Sequence, residues 1–207
     1  MSEIVNWDDL VKRNGLYYKK FTDVPFTGDI NGKAPLGKTV RGSFKDGEKV
    51  GLWLEYHDNG QLYTKVNFKD GIEVGLCESY WKNGNLDFKG NYKEGKAEGL
   101  WEMYDTIENL VFKRNFKDGK KEGLWESFYG TGQPNLKGKY KEGKKEGLWE
   151  KYWDNGQLES KETFKDDKKE GLCIKYWSNG QLDLNENYKD GKLDGPWEMY
   201  YENGQLH

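Results

Sequence analysis

The chain has 207 residues, with 33 basic and 36 acidic side chains and a formal net charge of −3. Because this balance leaves no surplus of lysine and arginine to attract a polyanion, we expect no nucleic-acid partner. A charged fraction of 33% and a mean hydropathy of −1.07 argue against a thick aliphatic core, whereas 15% aromatic residues argue against disorder.

The start of the chain, MSEIVNWDDL, lacks the basic flank and apolar run of a secretory signal. No apolar stretch of the sequence is long enough to cross a bilayer as a helix. We therefore expect a cytoplasmic protein, unless a signal peptide has been removed.

The first predicted element is a cap hairpin over residues 1–23. Asn14-Gly15 stands between two short alternating stretches, LVKR and LYYK, which is typical of two strands joined by a tight turn. A degenerate repeat follows, with strands in PFTGDI and TVRGSFKDG and a loop over 31–38. Repeat arrays need atypical ends. The domain prediction is therefore a cap over 1–23 and a repeat array over 24–207.

From there the chain repeats itself every 24 residues. Gly-Leu-Trp or a close relative begins at Gly51, Gly75, Gly99, Gly123, Gly147, Gly171 and Gly195. Self-similarity at a fixed period of this size indicates an array in which each unit packs mainly against its neighbours. We predict about seven such repeats after the degenerate one, with the last one incomplete.

Each repeat carries the signals of two strands and two turns. In the repeat that begins at Gly147, alternating bulky residues lead to Asn155-Gly156, which favours a two-residue type I′ turn. That turn would set Trp153 opposite Leu158. A Lys-Asp-Gly or Lys-Glu-Gly segment supplies the second turn, so the chain is predicted to meander.

The predicted register sets opposite charges across each hairpin. Glu150 faces Lys161, and a cross-strand pair of this kind contributes roughly 0.2 to 1 kcal/mol. The same offset pairs Glu78 with Lys89, Glu102 with Lys113, Glu126 with Lys137, and Ile174 with Asn185. The predicted fold class is all-β: an elongated, single-sheet antiparallel meander of β-hairpin repeats that forms a twisted ribbon.

Three departures from the repeat mark its middle and later part. Ile107-Glu108 replaces Asn-Gly, so this turn is predicted to be built differently. Pro134 replaces a leucine and predicts a bulge or an unpaired edge, because proline has no backbone donor. Asp167 replaces the glycine of the second turn. Irregularity in a regular array marks a candidate recognition site, and drift of single repeats is the alternative.

The sequence contains no recognisable catalytic, cofactor or metal set. His57 and His207 are its only histidines, which is too few for a histidine metal cluster and makes a Ser-His or Cys-His catalytic arrangement hard to build. Cys77 and Cys173 occupy the position that tryptophan holds in other repeats, four repeats apart, and strand spacing puts them beyond disulfide reach. We interpret them as buried spacers.

The recurring Gly-x-Trp, the tyrosine three residues later, Asn-Gly-x-Leu and aromatic-Lys-Asp-Gly resemble the MORN-repeat family. They are most similar to its bacterial variant, found in YwqK-type antitoxins of toxin-antitoxin systems. The resemblance covers residues 24–207. It implies a non-enzymatic protein that neutralises a toxin by binding it. For MORN proteins in general it implies scaffolding, protein binding and association with membrane lipids.

The leading functional hypothesis is a protein-binding, antitoxin-type repeat protein. The alternative is a structural scaffold or a membrane- or cell-surface-associated adaptor, with a membrane or a glycan as the less favoured binding partner. Self-association through exposed edge strands is a further possibility. Rigid aromatic side chains give contact area at little entropic cost, although they could instead stack the repeats together. The predicted partner contacts are Trp81, Met103, Tyr129, Trp153, Trp177, Met199 and Tyr201.

Overall fold

The computed structural model describes residues 4–34 and 37–207. These residues are all-β apart from a short 3-10 turn at Trp7–Asp9. The strands are β1 Ile4–Val5, β2 Leu10–Arg13, β3 Leu16–Lys19, β4 Gly28–Lys33, β5 Thr39–Lys45, β6 Glu48–Tyr56, β7 Leu62–Lys69, β8 Ile72–Tyr80, β9 Leu86–Lys93, β10 Lys96–Tyr104, β11 Leu110–Lys117, β12 Lys120–Phe128, β13 Pro134–Lys141, β14 Lys144–Tyr152, β15 Leu158–Lys165, β16 Lys168–Tyr176, β17 Leu182–Lys189, β18 Lys192–Leu193 and β19 Glu198–Met199.

All of these strands except β2 and β3 belong to one 17-stranded sheet. Its consecutive strands run antiparallel, as in the pairs β5–β6 and β14–β15, whereas β1 lies parallel to β4. The predicted all-β, single-sheet meander of hairpins is therefore confirmed, with one parallel pair added at β1. No helix of the described residues is long and apolar enough to span a membrane.

The described chain divides into two compact units. The first contains the described residues up to Glu98 together with Thr106–Glu108, and the second contains Gly99–Asp105 and Asn109–His207. The boundary predicted between a cap at 1–23 and an array at 24–207 stays a prediction. The predicted loop over 31–38 is too long at its start, because residues 31–33 belong to β4 and pair with β5. Pro35 and Leu36 of this loop lie outside the described residues.

The predicted register is confirmed along the body of the hairpins. Glu150 pairs with Lys161. The equivalent pairs are Glu78 with Lys89, Glu102 with Lys113, Glu126 with Lys137, and Ile174 with Asn185. Strand pairing is local in sequence, and a shift by one residue would exchange the two faces of the sheet, so the alternating pattern specifies the register.

The prediction of a two-residue turn at Asn155-Gly156 is wrong. The loop spans five residues, in which the Trp153 amide donates to the Gln157 carbonyl at 2.8 Å and the Gly156 amide to the Trp153 carbonyl at 3.0 Å. Tyr152, not Trp153, therefore pairs with Leu158. The Asn155 side chain stabilises this longer loop because its Oδ1 accepts the Gln157 amide at 2.9 Å.

The type I′ geometry occurs instead at the second turn. Asp190 and Gly191 both have positive φ, 51° and 80°, and connect the paired residues Lys189 and Lys192. A type I′ turn needs both central residues in this left-handed region, which glycine adopts without cost and aspartate adopts more readily than most residues.

The irregular repeats keep the common backbone geometry. At the loop predicted to differ, the Asp105 amide still donates to the Asn109 carbonyl at 2.9 Å, and Glu108 takes the left-handed conformation with φ 68°. The predicted difference lies in the side-chain bonds: the Asn109 amide donates to the Asp105 Oδ1 at 2.9 Å, whereas the Gln157 amide donates to the Asn155 Oδ1 in the later loop. Pro134 pairs with Phe128 at the register shift that occurs at this point in every complete hairpin, so it needs no additional bulge.

The first unit has a buried core that the composition did not lead us to expect. Val5, Leu10, Phe26, Ile30, Val40, Phe44 and Trp53 form one buried cluster. The N-terminal segment covers the first strands: the Trp7 ring packs edge-on against Trp53 at 6.2 Å, and the Tyr17 ring lies 4.7 Å from Phe44. The β2–β3 hairpin thus forms part of a second layer over this end of the sheet.

Candidate functional site

One face of the sheet in the second unit carries a continuous aromatic stack. Ring centroids of Trp125 and Tyr140 are 4.7 Å apart, those of Tyr140 and Trp149 are 5.0 Å apart, and Phe164 continues the series. The Lys145 ammonium lies 4.4 Å from the Trp149 ring centroid and 4.6 Å from that of Phe164. Edge-to-face rings and interleaved lysines stabilise neighbouring repeats against each other. This face is mainly structural.

The tryptophans and cysteines at this position differ in the residue that they meet on the preceding strand. The Trp149 indole lies directly over Gly138, where an added Cβ would overlap the ring, and Trp53 covers Gly42 in the same way. At two positions the preceding strand carries a larger residue and a cysteine stands in place of the tryptophan: Glu162 pairs with Cys173 and Val66 with Cys77. Trp125, in contrast, pairs with Arg114. The cysteines are therefore spacers beside bulky neighbours, in agreement with their sequence interpretation.

The environment of Cys173 makes it a poor nucleophile. The residue is 1% exposed, and its Sγ lies 3.4 Å from a Glu162 carboxylate oxygen and 3.7 Å from the Lys169 ammonium. Burial raises the pKa of its thiol to about 11, and burial also raises the pKa of Cys77. A protonated, buried thiol does not attack an electrophile at neutral pH.

Several predicted partner contacts bind the next repeat. The Tyr129 hydroxyl donates to the Tyr152 carbonyl at 2.7 Å, and the Trp153 Nε1 donates to the Tyr176 carbonyl at 3.1 Å. Trp177 makes the same bond to the Tyr200 carbonyl at 3.0 Å. At the equivalent loop position of the first unit, a ring nitrogen of His57 lies 2.7 Å from the Tyr80 carbonyl oxygen. Sequence reasoning did not identify His57 as a member of this set.

The asparagines of the same loops form a second series of bonds between repeats. The side-chain amides of Asn59, Asn155 and Asn179 each donate to a carbonyl in the following loop, at 2.8 to 2.9 Å. The loops that begin at His57, Trp153 and Trp177 are thus each bonded to the following repeat through one ring and one amide side chain.

The other predicted contacts are arranged differently. Trp81 is half-buried at the loop position of the first unit. Met103 lies on β10 and pairs with Phe112. Tyr201 is 49% exposed with its ring 4.5 Å from His207, and Met199 on β19 is 37% exposed. Tyr129, Trp153, Trp177 and Tyr201 therefore share one loop position in successive repeats, whereas the methionines lie on strands. Their contact with a partner stays a prediction.

The opposite face carries a row of exposed leucines that sequence reasoning did not treat as a site. We call the exposed leucines of the second unit, Leu100, Leu148 and Leu172, the leucine row; Leu52 and Leu76 hold the same motif position in the first unit. Each is between 42% and 52% exposed. They are the second residues of the Gly-Leu-Trp motif, and their recurrence every 24 residues on the face away from tryptophan was the available signal.

Charged pairs flank the leucine row. The Lys161 ammonium lies 3.4 Å from Glu150, whose carboxylate also accepts the Tyr152 hydroxyl at 3.0 Å. The lysine side chains are the more exposed partners: Lys137 is 52% exposed and its partner Glu126 is 21% exposed. Such pairs contribute little stability, and they present a polar border beside the leucines.

Among residues 4–34 and 37–207, no group of three or more His, Cys, Asp or Glu side chains could hold a metal ion. The surfaces described above are the loops that bond to the next repeat, the aromatic face and the leucine row.

A model of a known protein family matches most of these repeats. The family model described as MORN repeat variant matches residues 49–70, 73–94, 121–142, 145–166, 169–190 and 193–207. The matched segments leave out the repeat that contains the Asp105–Asn109 loop, where Glu108 replaces glycine. No curated protein matches the chain.

Proposed function

We propose, from the premise that this chain belongs to the MORN repeat variant family, that it is a non-enzymatic protein-binding protein whose leucine row contacts its partner. The leucine row is the observation that carries this proposal. Exposed apolar residues are ordinary when scattered. Leu148 and Leu172, however, occupy the same place in successive hairpins of the second unit, and Leu100 occupies it two hairpins earlier, so they form a recurring apolar surface.

The surroundings of the leucine row fit an interface. Leucines in neighbouring repeats are two strands apart, which corresponds to about 10 Å. The row is bordered by Glu–Lys pairs such as Glu150 and Lys161, so an apolar centre meets a polar rim, as in protein–protein interfaces. The repeats behind it are held by stacked rings and loop hydrogen bonds, which reduces the ordering cost of binding.

The specific form that we propose is neutralisation of a toxin by direct binding. The support is the resemblance to YwqK-type antitoxins together with this rigid surface, since blocking a partner requires contact area and no catalytic set. Tyr201 and Met199, the most exposed of the predicted aromatic and methionine contacts, are proposed as additional contacts.

The test is co-expression and co-purification of the chain with the products of its neighbouring genes. We expect one product to co-purify with the wild type, and to inhibit growth when it is expressed without the chain. A Leu148→Glu/Leu172→Glu variant should weaken the complex at least tenfold, because two charges would be buried in the interface.

Leu193→Glu is the matched control, since Leu193 is 47% exposed but stands outside the leucine row. It should leave the complex intact. Retention of the partner by the double variant would overturn the role of the leucine row. The absence of any co-purifying protein would overturn the binding function.

A membrane-associated or scaffolding role is the second candidate. The observation that favours it is the outward position of the lysines, with Lys137 52% exposed above Glu126 at 21%. Sedimentation with vesicles of phosphatidylcholine and 30% phosphatidylserine tests it. The membrane role would be supported by salt-sensitive binding that is lost in the variant Lys113→Gln/Lys137→Gln/Lys161→Gln. If the wild type does not bind the vesicles, these lysines do not form a membrane-binding surface.

A further inference from the structure

One position on the aromatic face of the second unit differs from its equivalents. Arg114 on β11 pairs with Trp101 on one side and Trp125 on the other. The equivalent residues two and four strands further are Gly138 and Glu162. Arginine thus replaces a glycine or a carboxylate here, in the repeat whose loop contains Glu108.

Aromatic rings hold the Arg114 guanidinium in place. Its Cζ lies 3.7 Å from the ring centroid of Phe112 and 4.8 Å from that of Trp125. The Trp125 Nε1 does not compete for a ligand because it donates to the Asn115 carbonyl at 3.1 Å. Stacking orients the guanidinium plane and leaves its N–H groups available at the edge.

This positive charge has no carboxylate partner among the described residues. Burial lowers the pKa of Arg114, and no ion pair with a described carboxylate offsets that effect. The other arginines of the described chain donate to side-chain oxygens: Arg13 lies 3.0 Å from the Asp23 carboxylate, and Arg41 donates to the neutral Asn31 Oδ1 at 3.2 Å. A partly desolvated cation without an anion attracts one.

The row of side chains beside Arg114 is apolar at this point. Met103 pairs with Phe112, Phe112 pairs with Ser127, and Ser127 pairs with Leu136, so these four side chains share one face. Further along the same row the residues are polar: Lys151, Ser160 and Lys175. The apolar stretch therefore coincides with the unpaired guanidinium.

We infer that Arg114, Phe112 and Met103 form a recognition site for a carboxylate that has an apolar side chain next to it. The guanidinium would take the carboxylate through two parallel N–H donors, while Phe112 and Met103 would contact the apolar group. The identification of the ligand as a protein segment rests on the proposed function. The carboxylate is either a chain terminus or an Asp or Glu side chain.

NMR titration of the full chain tests the site with three probes. N-acetyl-leucine carries a free α-carboxylate, N-acetyl-aspartyl-leucinamide carries a side-chain carboxylate, and N-acetyl-leucinamide is neutral. We expect the Arg114 Nε–H and Trp125 indole N–H signals to shift with at least one acidic probe at a concentration roughly tenfold lower than with the amide. The acidic probe that binds more tightly identifies the source of the carboxylate.

Arg114→Gly is the decisive variant, because glycine already precedes Trp149 at position 138 and the fold accommodates it there. It should abolish the difference between the acidic probes and the amide in the Trp125 signal. Arg41→Gln is the matched control and should leave the titration unchanged. Equal binding of acidic and neutral probes, or an unchanged difference in Arg114→Gly, would overturn the inference.

Different results would contradict the protein-binding function and the carboxylate site. If a partner co-purifies but the acidic probes show no preference, only the carboxylate site is wrong. If the probes bind as expected but no protein co-purifies, the site stands and the protein-binding function loses its support.

Discussion

Two residues of this protein occupy left-handed backbone positions that other repeats fill with glycine. Glu108 stands where Gly156 lies in a later loop, and Asp167 stands where Gly191 lies in a later turn; both have φ 68°. Asp167 is partly compensated, since its Oδ1 accepts the Lys145 amide at 2.7 Å. Glu108 makes no comparable side-chain hydrogen bond with the described residues. The strain is therefore relieved at one site and retained at the other.

Replacing Glu108 with glycine should stabilise the protein. A side chain in the left-handed region costs about 1 to 2 kcal/mol, part of which the greater freedom of glycine in the unfolded chain offsets. We expect the free energy of unfolding in urea to rise by about 1 kcal/mol. Glu108→Ala keeps the strain and is the control, so equal stabilities of the two variants would contradict this explanation.

The buried thiol of Cys173 should make stability depend on alkaline pH. Burial raises its pKa from 9.0 to about 11, so the unfolded chain loses this proton first as the pH rises. The stabilising contribution is complete below pH 9 and is lost as the pH approaches about 11. The difference in unfolding free energy between the wild type and Cys173→Ala should therefore shrink over this window. A constant difference from pH 8 to pH 11 would show that the thiol pKa is not raised.

At the scale of the element, each hairpin combines a two-residue Lys-Asp-Gly turn with a five-residue loop. The loop's aromatic and asparagine side chains bond to the next loop, as Trp153 does to Tyr176 and Asn155 to Ser178. Side chains that meet across neighbouring strands also complement each other in volume, since the Trp149 ring occupies the space that a side chain at Gly138 would fill. A hairpin is therefore complete only with its neighbours in place.

The match in volume predicts a strong coupling between Gly138 and Trp149. Gly138→Glu alone should destabilise the protein by about 1 to 3 kcal/mol, because the new side chain overlaps the indole. Adding Trp149→Cys reproduces the Glu162–Cys173 pair, with Lys145 placed as Lys169 is.

The double variant should then lose less unfolding free energy than the two single variants lose together. We expect the difference to be about 1 to 3 kcal/mol in urea unfolding. Trp149→Cys alone is the third corner of the cycle and leaves a cavity over glycine. Strict additivity of the two changes would refute the volume match.

At the scale of the whole molecule, the first unit owes part of its stability to the N-terminal segment. Trp7 packs against Trp53 and Tyr17, beside the buried cluster around Phe44. The second unit depends instead on repeated ring, lysine and loop contacts between successive hairpins. In an array stabilised by nearest neighbours, damage to one repeat stays local.

Trp7→Ala tests this distribution of stability. We expect a loss of roughly 2 to 3 kcal/mol, since large-to-small changes of buried aromatic residues cost 3 to 5 kcal/mol and Trp7 is half-buried. Amide hydrogen exchange should accelerate in β4 to β6 and remain unchanged in β13 to β16. Equal acceleration in both regions would mean that the chain unfolds as one cooperative unit.

The sequence predicted the strands, their order and most of their register, because these features arise between residues close in the chain. Glu150 faces Lys161 because the strands alternate apolar and polar residues and are joined by a short connection. Only one register then keeps the two sets of side chains on opposite faces of the sheet. The turn at Asn155-Gly156 was predicted wrongly because the asparagine side chain bonds within its own loop and to the next one, which local preference ignores.

The candidate sites were less predictable than the fold. Trp153 and Trp177 looked like partner contacts, yet their indole N–H groups bond to the next repeat, and only the packed array reveals which carbonyl they meet. The leucine row was visible in the sequence as a recurring residue, but its exposure depends on what covers that face.

The sequence by itself determined the 24-residue period, the hairpin meander and the family, since a repeated local pattern encodes repeated local pairing. The tertiary structure alone decided which aromatic groups join repeats, which leucines stay exposed, and that Arg114 has no carboxylate partner among the described residues. Those properties depend on contacts between side chains of different strands, and neighbours across a sheet are set by packing rather than by adjacency in the chain.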